Sequence, residues 1–441
     1  MYGNLLNRKI KGARCYIYAV LLLLLIPTFC GAQKNPPPDF TTTYQYPVIV
    51  NPGPRLQMFT MLDIAMLIGL MAMTAWYVHK RRSRKEVRLI SIFSLLYFGF
   101  YRHGCVCAVG SLQNVALAAG GTEYSLPLGV GAFFLLPLLF ALFYGRVFCA
   151  AVCPLGAVQE LALQKAKRVP AWLDQTLSTI PYLYLGAGVL FAITGSAFVI
   201  CRYDPFVPFF RFAGSVGMLT FGAALVLLST FIGRPYCRYI CPYGVLLRWL
   251  SPFAKHQVHV APAACINCHL CAEECPYGAI KAPTPVQQRA PSRMEQRGLL
   301  IRILAILPAL VLLGALLGRW SSPVVSQMSP KIRIADRVWL EQKGRVAGMT
   351  DESTAWRQQG RANDELYHDA ALLRRKFDLA SLLSGAWIGL IIGLKLIFSA
   401  IHRTRTDYDA DPAACLACAR CFAACPVGKE GVAEVPEITT P

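Results

Sequence analysis

Long, mostly apolar runs constrain the fold of this chain more than any other feature. They lie near residues 57–78, 89–101, 126–145, 179–200, 212–233, 299–318 and 379–398. A helix needs about 20 apolar residues to cross the ~30 Å hydrocarbon layer of a bilayer. With 55% hydrophobic and only 15% charged residues, the composition excludes an ordinary soluble enzyme. The sequence therefore predicts a mainly α-helical, polytopic membrane protein with about seven spans that follow an N-terminal element.

That N-terminal element has the pattern of a targeting segment. An apolar run over residues 19–29 is followed by small residues at 30–32. It is preceded by four basic residues: Arg8, Lys9, Lys11 and Arg14. This order is typical of a secretory signal peptide, and an uncleaved anchor stays open as the alternative. We assign residues 1–32 to it, residues 33–56 to a periplasmic stretch, and residues 57–255 to the membrane domain.

Two copies of the pattern Cys-x2-Cys-x2-Cys-x3-Cys-Pro occur far apart in the chain, at residues 265–276 and 415–426. This is the thiolate spacing that holds a [4Fe–4S] cluster in bacterial ferredoxins. Structural zinc uses Cys-x2-Cys pairs that are well separated, so four closely spaced cysteines in each copy disfavour zinc. We predict two [4Fe–4S] clusters in a ferredoxin-like α+β domain, assembled from a first segment (256–297) and a second segment (399–441).

The ligands of these two clusters follow from a general property of two-cluster ferredoxins. There, the fourth cysteine of each run ligates the other cluster. Applied to this chain, the rule gives a first cluster site with Cys265, Cys268, Cys271 and Cys425, and a second cluster site with Cys415, Cys418, Cys421 and Cys275. Each predicted site therefore needs both segments of the chain.

A duplicated element precedes the first segment. Gly-Arg-Val-Phe-Cys-x3-Cys-Pro-Leu-Gly at 145–156 reappears as Gly-Arg-Pro-Tyr-Cys-x3-Cys-Pro-Tyr-Gly at 233–244. Cysteines four residues apart share one side of a helical turn, so the two copies can present four thiols to one inner thiol site: Cys149, Cys153, Cys237 and Cys241. We predict that this site holds a further iron–sulfur cluster or a soft metal such as Cu(I), because Arg146 and Arg234 favour thiolates. Four packing cysteines remain the alternative.

Three further cysteines form a separate group, which we call the outer thiols: Cys105, Cys107 and Cys201. The sequence after Cys107 is a weaker echo of the duplicated element. We predict a second metal or cofactor site here, completed by His103 or by an exogenous group. A disulfide in the Cys-x-Cys element is the alternative.

Short Lys/Arg clusters set the orientation, because such clusters mark cytoplasmic loops. They lie at residues 79–88, 164–168 and 402–405. One threading puts all three inside, together with the inner thiol site and both ferredoxin segments, and it puts the outer thiols outside. We therefore predict a bacterial inner-membrane protein in which spans 298–318 and 379–398 flank a periplasmic domain, 319–378, with a solvated loop as the alternative there. The net charge is +20, but basic residues lie in short clusters beside apolar segments, so no nucleic-acid partner is expected.

The combination resembles the NosR/NapH family of membrane-bound polyferredoxins over roughly residues 89–276 and 415–426. The duplicated Cys-x3-Cys-Pro elements and the paired ferredoxin motifs carry the resemblance, and the elements at 105–107 and 201–206 are closer to NosR. The resemblance implies electron transfer between the quinone pool or cytoplasmic donors and periplasmic reductases. NosR-type proteins also carry a large flavin-binding domain ahead of the membrane core. Residues 33–56 are too few to hold one, so flavin is expected only on a partner subunit.

These patterns together predict a lipid-embedded electron-transfer subunit of an oxidoreductase system. Crossing a ~30 Å apolar barrier requires intermediate carriers, because tunnelling falls off steeply with distance, and cysteines near both faces are suited to hold them. Electrons would pass between cytoplasmic or quinone donors and a periplasmic flavoprotein or reductase. Copper reduction and handling through the Cys-x3-Cys-Pro pairs, and redox sensing, stay open as other functions. No catalytic residue is predicted.

Overall fold

The computed structural model describes residues 57–104, 107–121, 124–164, 166–167, 169–212, 214–260, 265–284, 293–400, 405 and 407–427. Cys105 and the N-terminal element lie outside the described residues. The membrane domain contains helices α1 Gln57–His79, α2 Arg84–Ser94, α3 Ala108–Ala119, α4 Leu128–Tyr144, α5 Pro154–Ala162, α6 Ala171–Leu177, α7 Ile180–Ile193, α8 Val199–Arg202, α9 Phe206–Arg211, α10 Val216–Ser229, α11 Pro235–Tyr239 and α12 Tyr243–Leu250. Two π-helical turns, Leu95–Tyr101 and Phe148–Val152, and a 3-10 turn, Ser251–Phe253, complete it.

The remainder of the described chain contains helices α13 Leu270–Glu274, α14 Arg293–Ser326, α15 Pro330–Gln342, α16 Asp351–Gln358, α17 Asn363–Ala400 and α18 Arg420–Ala424, with strands β1 Ile280–Lys281 and β2 Asp409–Ala410. By length and composition, four helical stretches are apolar enough to cross a membrane: Gln57–His79, Trp172–Ile193, Leu300–Ser326 and Asn363–Phe398. Three shorter apolar helices are Ala108–Ala119, Leu128–Tyr144 and Val216–Ser229. The predicted helical membrane protein is confirmed, and the number of spans stays a prediction.

The two longest helices, α14 and α17, form a tightly packed pair. Glycines line their contact, and a Cβ added to Gly385 would lie only 2.8 Å from the Cα of Gly318. Small residues allow helices to approach closely in lipid, where no hydrophobic effect drives them together. This pair links the two ferredoxin segments, since α14 follows the first segment and α17 precedes the second.

The two ferredoxin segments meet in a two-stranded sheet. Strands β1 and β2 are antiparallel, with Ile280 opposite Ala410. The N–H of Asp411 donates to the carbonyl of Ala279 at 2.9 Å and extends the pairing. Buried apolar side chains from both segments cover this sheet: Val260, Ala272, Ile280, Tyr408 and Ala410. Segments separated by the whole helical pair therefore share one small core.

The two copies of the duplicated element fold differently at their cysteines. In the first copy Cys149 lies in the π-helical turn, whereas in the second copy Cys237 lies in the short helix α11. In both copies the proline after the second cysteine lies at the start of a helix: Pro154 is the first residue of α5, and Pro242 is the N-cap of α12. Proline suits that position because its φ is fixed and its missing N–H would have no partner in the first turn.

Candidate functional site

The first cluster site lies at the surface of the ferredoxin part. Its four predicted ligands line one cavity of about 390 Å³, part of it open to solvent: Cys265, Cys268, Cys271 and Cys425. Cys268 is exposed, and the neighbouring Ile266 side chain is 64% exposed. The hydroxyl of Tyr408 and the ring of His269 are hydrogen-bonded beside this cavity. The structure therefore brings together cysteines from both segments at this site.

The second cluster site lies against the membrane domain. Its four predicted ligands line a second cavity, of about 370 Å³: Cys275, Cys415, Cys418 and Cys421. Tyr277, Val258 and Leu416 form apolar parts of its wall. The N–H of Ala417 donates to the Sγ of Cys415 at 3.4 Å. Four cysteine thiolates hold a [4Fe–4S] cluster, so the residues present fit such a group at both cavities, and hydrogen bonds to sulfur tune its potential.

Both ferredoxin loops repeat an uncommon backbone conformation. Residues with positive φ occupy the same two positions in each motif, Asn267 (52°) and His269 (63°) in the first, and Ala417 (52°) and Ala419 (60°) in the second. This conformation disfavours residues that carry a Cβ. Left-handed residues that alternate with other conformations can turn successive backbone N–H groups into a concavity that binds anions. The repeated strain therefore indicates that both loops are shaped around an anionic group.

The inner thiol site forms where the two duplicated elements contact each other. The guanidinium of Arg234, from the second copy, donates to the carbonyls of Cys149 and Ala150 in the first, the latter at 2.8 Å. Cys149 and Cys153 are 9% and 8% exposed, and Cys237 and Cys241 are partly buried. Among the described residues, no group of three or more His, Cys, Asp or Glu side chains meets the geometry of a single bound metal ion. The ligand role of these four cysteines stays a prediction.

Gln159 connects the two copies at this site, and the sequence patterns did not single it out. Its side-chain carbonyl accepts from the N–H of Tyr236 at 2.9 Å, and its amide nitrogen lies 3.5 Å from the Sγ of Cys237. The side chain is fully buried. An amide donor fixed in this way stabilises negative charge on sulfur.

One of the outer thiols, Cys107, lies next to the inner thiol site. Cys107 and Cys153 line the same cavity of about 270 Å³, whose other walls are apolar side chains that include Phe98, Phe133 and Phe148. Cys201 packs against α3 at Gly110. A Cβ added to that glycine would lie 3.2 Å from the Cys201 sulfur. A site shared by Cys107 and Cys201 stays a prediction, as does the contribution of Cys105.

A buried carboxylate joins the membrane domain to the ferredoxin part. Glu160 on α5 is 3% exposed and forms ion pairs with Arg234 (3.0 Å), Arg420 (2.8 Å) and Arg84. The hydroxyl of Tyr277 also donates to it at 2.6 Å. Burial alone would raise the pKa of Glu160, but the three guanidiniums and the Tyr277 hydrogen bond lower the pKa to about 2. In the sequence, Glu160 is marked only as a single acidic residue in an apolar segment.

Two family matches fall on these sites. A 4Fe-4S binding domain family matches residues 126–170 and 215–259, which contain the two duplicated elements. A second 4Fe-4S binding domain family matches residues 258–281, which contain the first ferredoxin motif. Iron–sulfur clusters are therefore cofactors of this protein.

Several curated relatives share parts of the chain. NosR of Pseudomonas aeruginosa, a regulatory protein by name, is 28% identical over 236 residues, 49% of this chain and 33% of its own. NirI of Paracoccus denitrificans is 35% identical over 155 residues, 32% and 22% of the two chains. YccM of Escherichia coli is 28% identical over 156 residues, 32% and 43% of the two chains. The chain thus spans less than half the length of each of these relatives, and no solved structure matches it significantly.

The helical fold and the cysteine sites define a membrane-bound iron–sulfur electron-transport protein. The two 4Fe-4S domain matches and these relatives support the predicted resemblance to NosR/NapH-type 4Fe-4S membrane proteins.

Proposed function

We propose that this protein is an inner-membrane electron relay in which the second cluster site passes electrons to or from the membrane domain. The supporting observation is the direct packing of the second ferredoxin loop on that domain. Arg84 donates to the carbonyl of Cys418 at 3.0 Å, and Ser251 donates to the carbonyl of Pro412 at 2.9 Å. Glu160 adds its ion pairs to the same contact. Short separations across a rigid interface are what electron transfer requires of a protein.

The two clusters are proposed to be cross-ligated, each by three cysteines of one motif and the fourth of the other. Two separate cavities, each lined by one predicted set of four thiols, support this assignment. When bound, [4Fe–4S] clusters supply one-electron carriers whose potential depends on net charge, hydrogen bonds to sulfur and solvent exposure. The loops contribute the thiols and the amide hydrogen bond to sulfur.

The path through the membrane domain is proposed to follow the remaining thiols. The inner thiol site adjoins the second ferredoxin loop, where Arg146 contacts both the carbonyl of Ala413 (3.3 Å) and, at 4.0 Å, the sulfur of Cys149. Cys107 follows, across the cavity that it shares with Cys153. The thiols therefore form a series of neighbours that leads away from the ferredoxin part.

The orientation, the domain boundaries and the partners complete the proposal. The ferredoxin segments, 256–297 and 399–441, lie on the cytoplasmic side, and residues 319–378 face the periplasm. Electrons come from cytoplasmic donors or quinol and reach a periplasmic redox protein or a flavin-binding subunit. The Lys/Arg clusters support this orientation, and the similarity to NosR and NirI supports partners of this kind.

Iron analysis and EPR-monitored redox titration of the purified protein test the proposal. We expect about eight iron atoms in the two ferredoxin-type clusters. A chain that ends before Cys415 should lose both clusters, because each then lacks at least one ligand. A truncated chain that keeps one intact cluster with about four iron atoms contradicts the cross-ligation. Protein that is colourless and iron-free after anaerobic reconstitution contradicts the relay itself.

Two further measurements separate this function from its alternatives. Protease mapping of sealed vesicles should find the segments around positions 265 and 415 on the same, cytoplasmic side. Copper binding that Cys149→Ser abolishes without changing the ferredoxin clusters would instead favour copper handling. A partner protein that binds in only one redox state, without electron-transfer turnover, would favour redox sensing.

A further inference from the structure

Two arginines at equivalent positions of the duplicated element have different surroundings. Arg146 precedes Cys149 by three residues, as Arg234 precedes Cys237. Both side chains are buried, with 5% and 0% exposure. A buried guanidinium cannot lose its proton, so each needs a negative charge or a full set of hydrogen-bond acceptors nearby.

Arg234 has its counter-charge within the chain. Its Nε donates to Glu160 at 3.0 Å, and its two other nitrogens donate to the carbonyls of Cys149 and Ala150. Its charge is therefore neutralised by a carboxylate, and its side chain holds the two copies together.

Arg146 has no such partner. Its Nη1 donates to the carbonyl of Ala413 at 3.3 Å, its Nη2 lies 4.0 Å from the sulfur of Cys149, and its Nε is buried without a hydrogen bond. None of the ion pairs found among the described residues joins it to an acid. Ala413 lies two residues before Cys415, so Arg146 stands between the inner thiol site and the second cluster site.

The glycines that end each copy make room for these guanidiniums. A Cβ added to Gly156 would lie 3.0 Å from Nη1 of Arg234, and one added to Gly244 would lie 3.6 Å from Nη2 of Arg146. Each arginine therefore crosses to the glycine of the other copy. The arrangement is conserved between the copies even though only one arginine has an acidic partner.

We propose that Arg146 is the counter-charge shared by the thiolates of the inner thiol site and the second cluster site, and that it sets their reduction potential. A buried cation without a counter-charge is destabilising, and the sulfurs of Cys149 and of Cys415 are the groups near Arg146 that can carry negative charge. A fixed positive charge beside thiolate-bound iron favours the reduced, more negative state and so raises the potential. The inference rests on the proposed function, because it requires that these sites carry electrons.

The test is an EPR-monitored redox titration of the full-length protein with three variants. Arg146→Gln removes the charge, Arg146→Lys keeps it, and Arg102→Gln removes the charge of an arginine that is paired with Asp63 at 3.0 Å. The second cluster is identified as the signal that Cys418→Ser abolishes. We expect its potential to shift to more negative values in Arg146→Gln, to stay near that of the wild type in Arg146→Lys, and to be unchanged in Arg102→Gln.

An unchanged potential in Arg146→Gln with both clusters present overturns the inference and leaves the relay intact, whereas an iron-free wild type overturns the relay. If Arg146→Gln does not assemble its clusters, the iron contents of Arg146→Lys and Arg146→Met decide. A counter-charge requires that the Lys variant keeps the iron of the second cluster and that the Met variant loses it. Any other pattern overturns the inference.

Discussion

The two ferredoxin sites share one cysteine pattern and one loop conformation, but their surroundings differ. At the first cluster site Cys268 is exposed and Ile266 is 64% exposed. At the second, Leu416 and Ala417 are only 5% and 3% exposed, because the membrane domain covers the loop. The cysteine motif determines the conformation of each loop, whereas packing against the membrane domain determines how exposed its cluster site is. The exposed site is suited to exchange electrons with a soluble partner, and the covered site is suited to exchange them within the chain.

The largest effect should come from removing the crossed ligands one at a time. Cys275→Ser should abolish the covered cluster and Cys425→Ser the exposed cluster, because each serine replaces a ligand contributed by the other motif. Each variant should keep about four of eight iron atoms. EPR can distinguish the two clusters, since the exposed one should react faster with a water-soluble oxidant. If each serine abolishes the cluster of its own motif, the crossed assignment is wrong.

A smaller effect, confined to the covered site, should follow from Glu160→Gln. This change leaves buried arginines without their counter-charge, and breaking such a network costs about 3–5 kcal/mol. The covered cluster should become accessible to oxidants while the exposed cluster keeps its rate. Glu274→Gln is the matched control, because that side chain is 52% exposed and lies 3.4 Å from Arg420. Equal oxidation rates in both variants would contradict the role of Glu160.

The pH dependence of the same contact follows from the sign of the pKa shift. The pKa of Glu160 is lowered on folding to about 2, so its stabilising contribution is complete above the pKa of an unfolded glutamate, about 4.3. The contribution decreases as pH falls from there toward 2. We therefore expect oxidation of the covered cluster to be independent of pH between about 6 and 8 in the wild type. A pronounced change across that range would contradict an ionised, fully paired Glu160.

A moderate effect on both sites together should follow from Gly385→Ala. The added methyl group contacts α14, and overpacking of this kind costs about 1–3 kcal/mol. The paired helices hold the two segments together, so both clusters should be lost at a lower temperature. Gly298→Ala is the control, because a Cβ there has no neighbour within 4 Å. Loss of only one cluster on heating Gly385→Ala would show that the segments do not depend on this helix pair.

The smallest effect, confined to the exposed site, should come from Tyr408→Phe. The change removes the hydroxyl that is hydrogen-bonded to His269 beside the first cavity. The potential of the exposed cluster should shift slightly, and that of the covered cluster should not move. Redox titration of the two EPR signals provides the measurement. If only the potential of the covered cluster shifted, Tyr408 would act on the second cluster site and not on the first.

Short-range patterns in the sequence predicted a large part of this protein. The spacing of the cysteines predicted the iron–sulfur cofactors, and the apolar runs predicted the helical membrane class, both of which are confirmed. The resemblance to the NosR/NapH type was predicted from the same motifs and is supported by the relatives and the domain matches. The span count, the sidedness, the domain boundaries and the ligand sets stay predictions, because they depend on how distant segments are arranged across the membrane.

What the sequence determined by itself is therefore local: thiol spacing, helix-forming apolar runs and a duplication, each of which acts through neighbours within a few residues. Only the tertiary structure decided that Glu160 meets Arg420, that Cys107 faces the cavity of Cys153, and that the covered ferredoxin site is the second one. The equivalent arginines Arg146 and Arg234 give the clearest case. Their motifs are nearly the same, but within the described part of the chain only Arg234 has a carboxylate partner, because electrostatic partners are selected by packing between segments far apart in the chain.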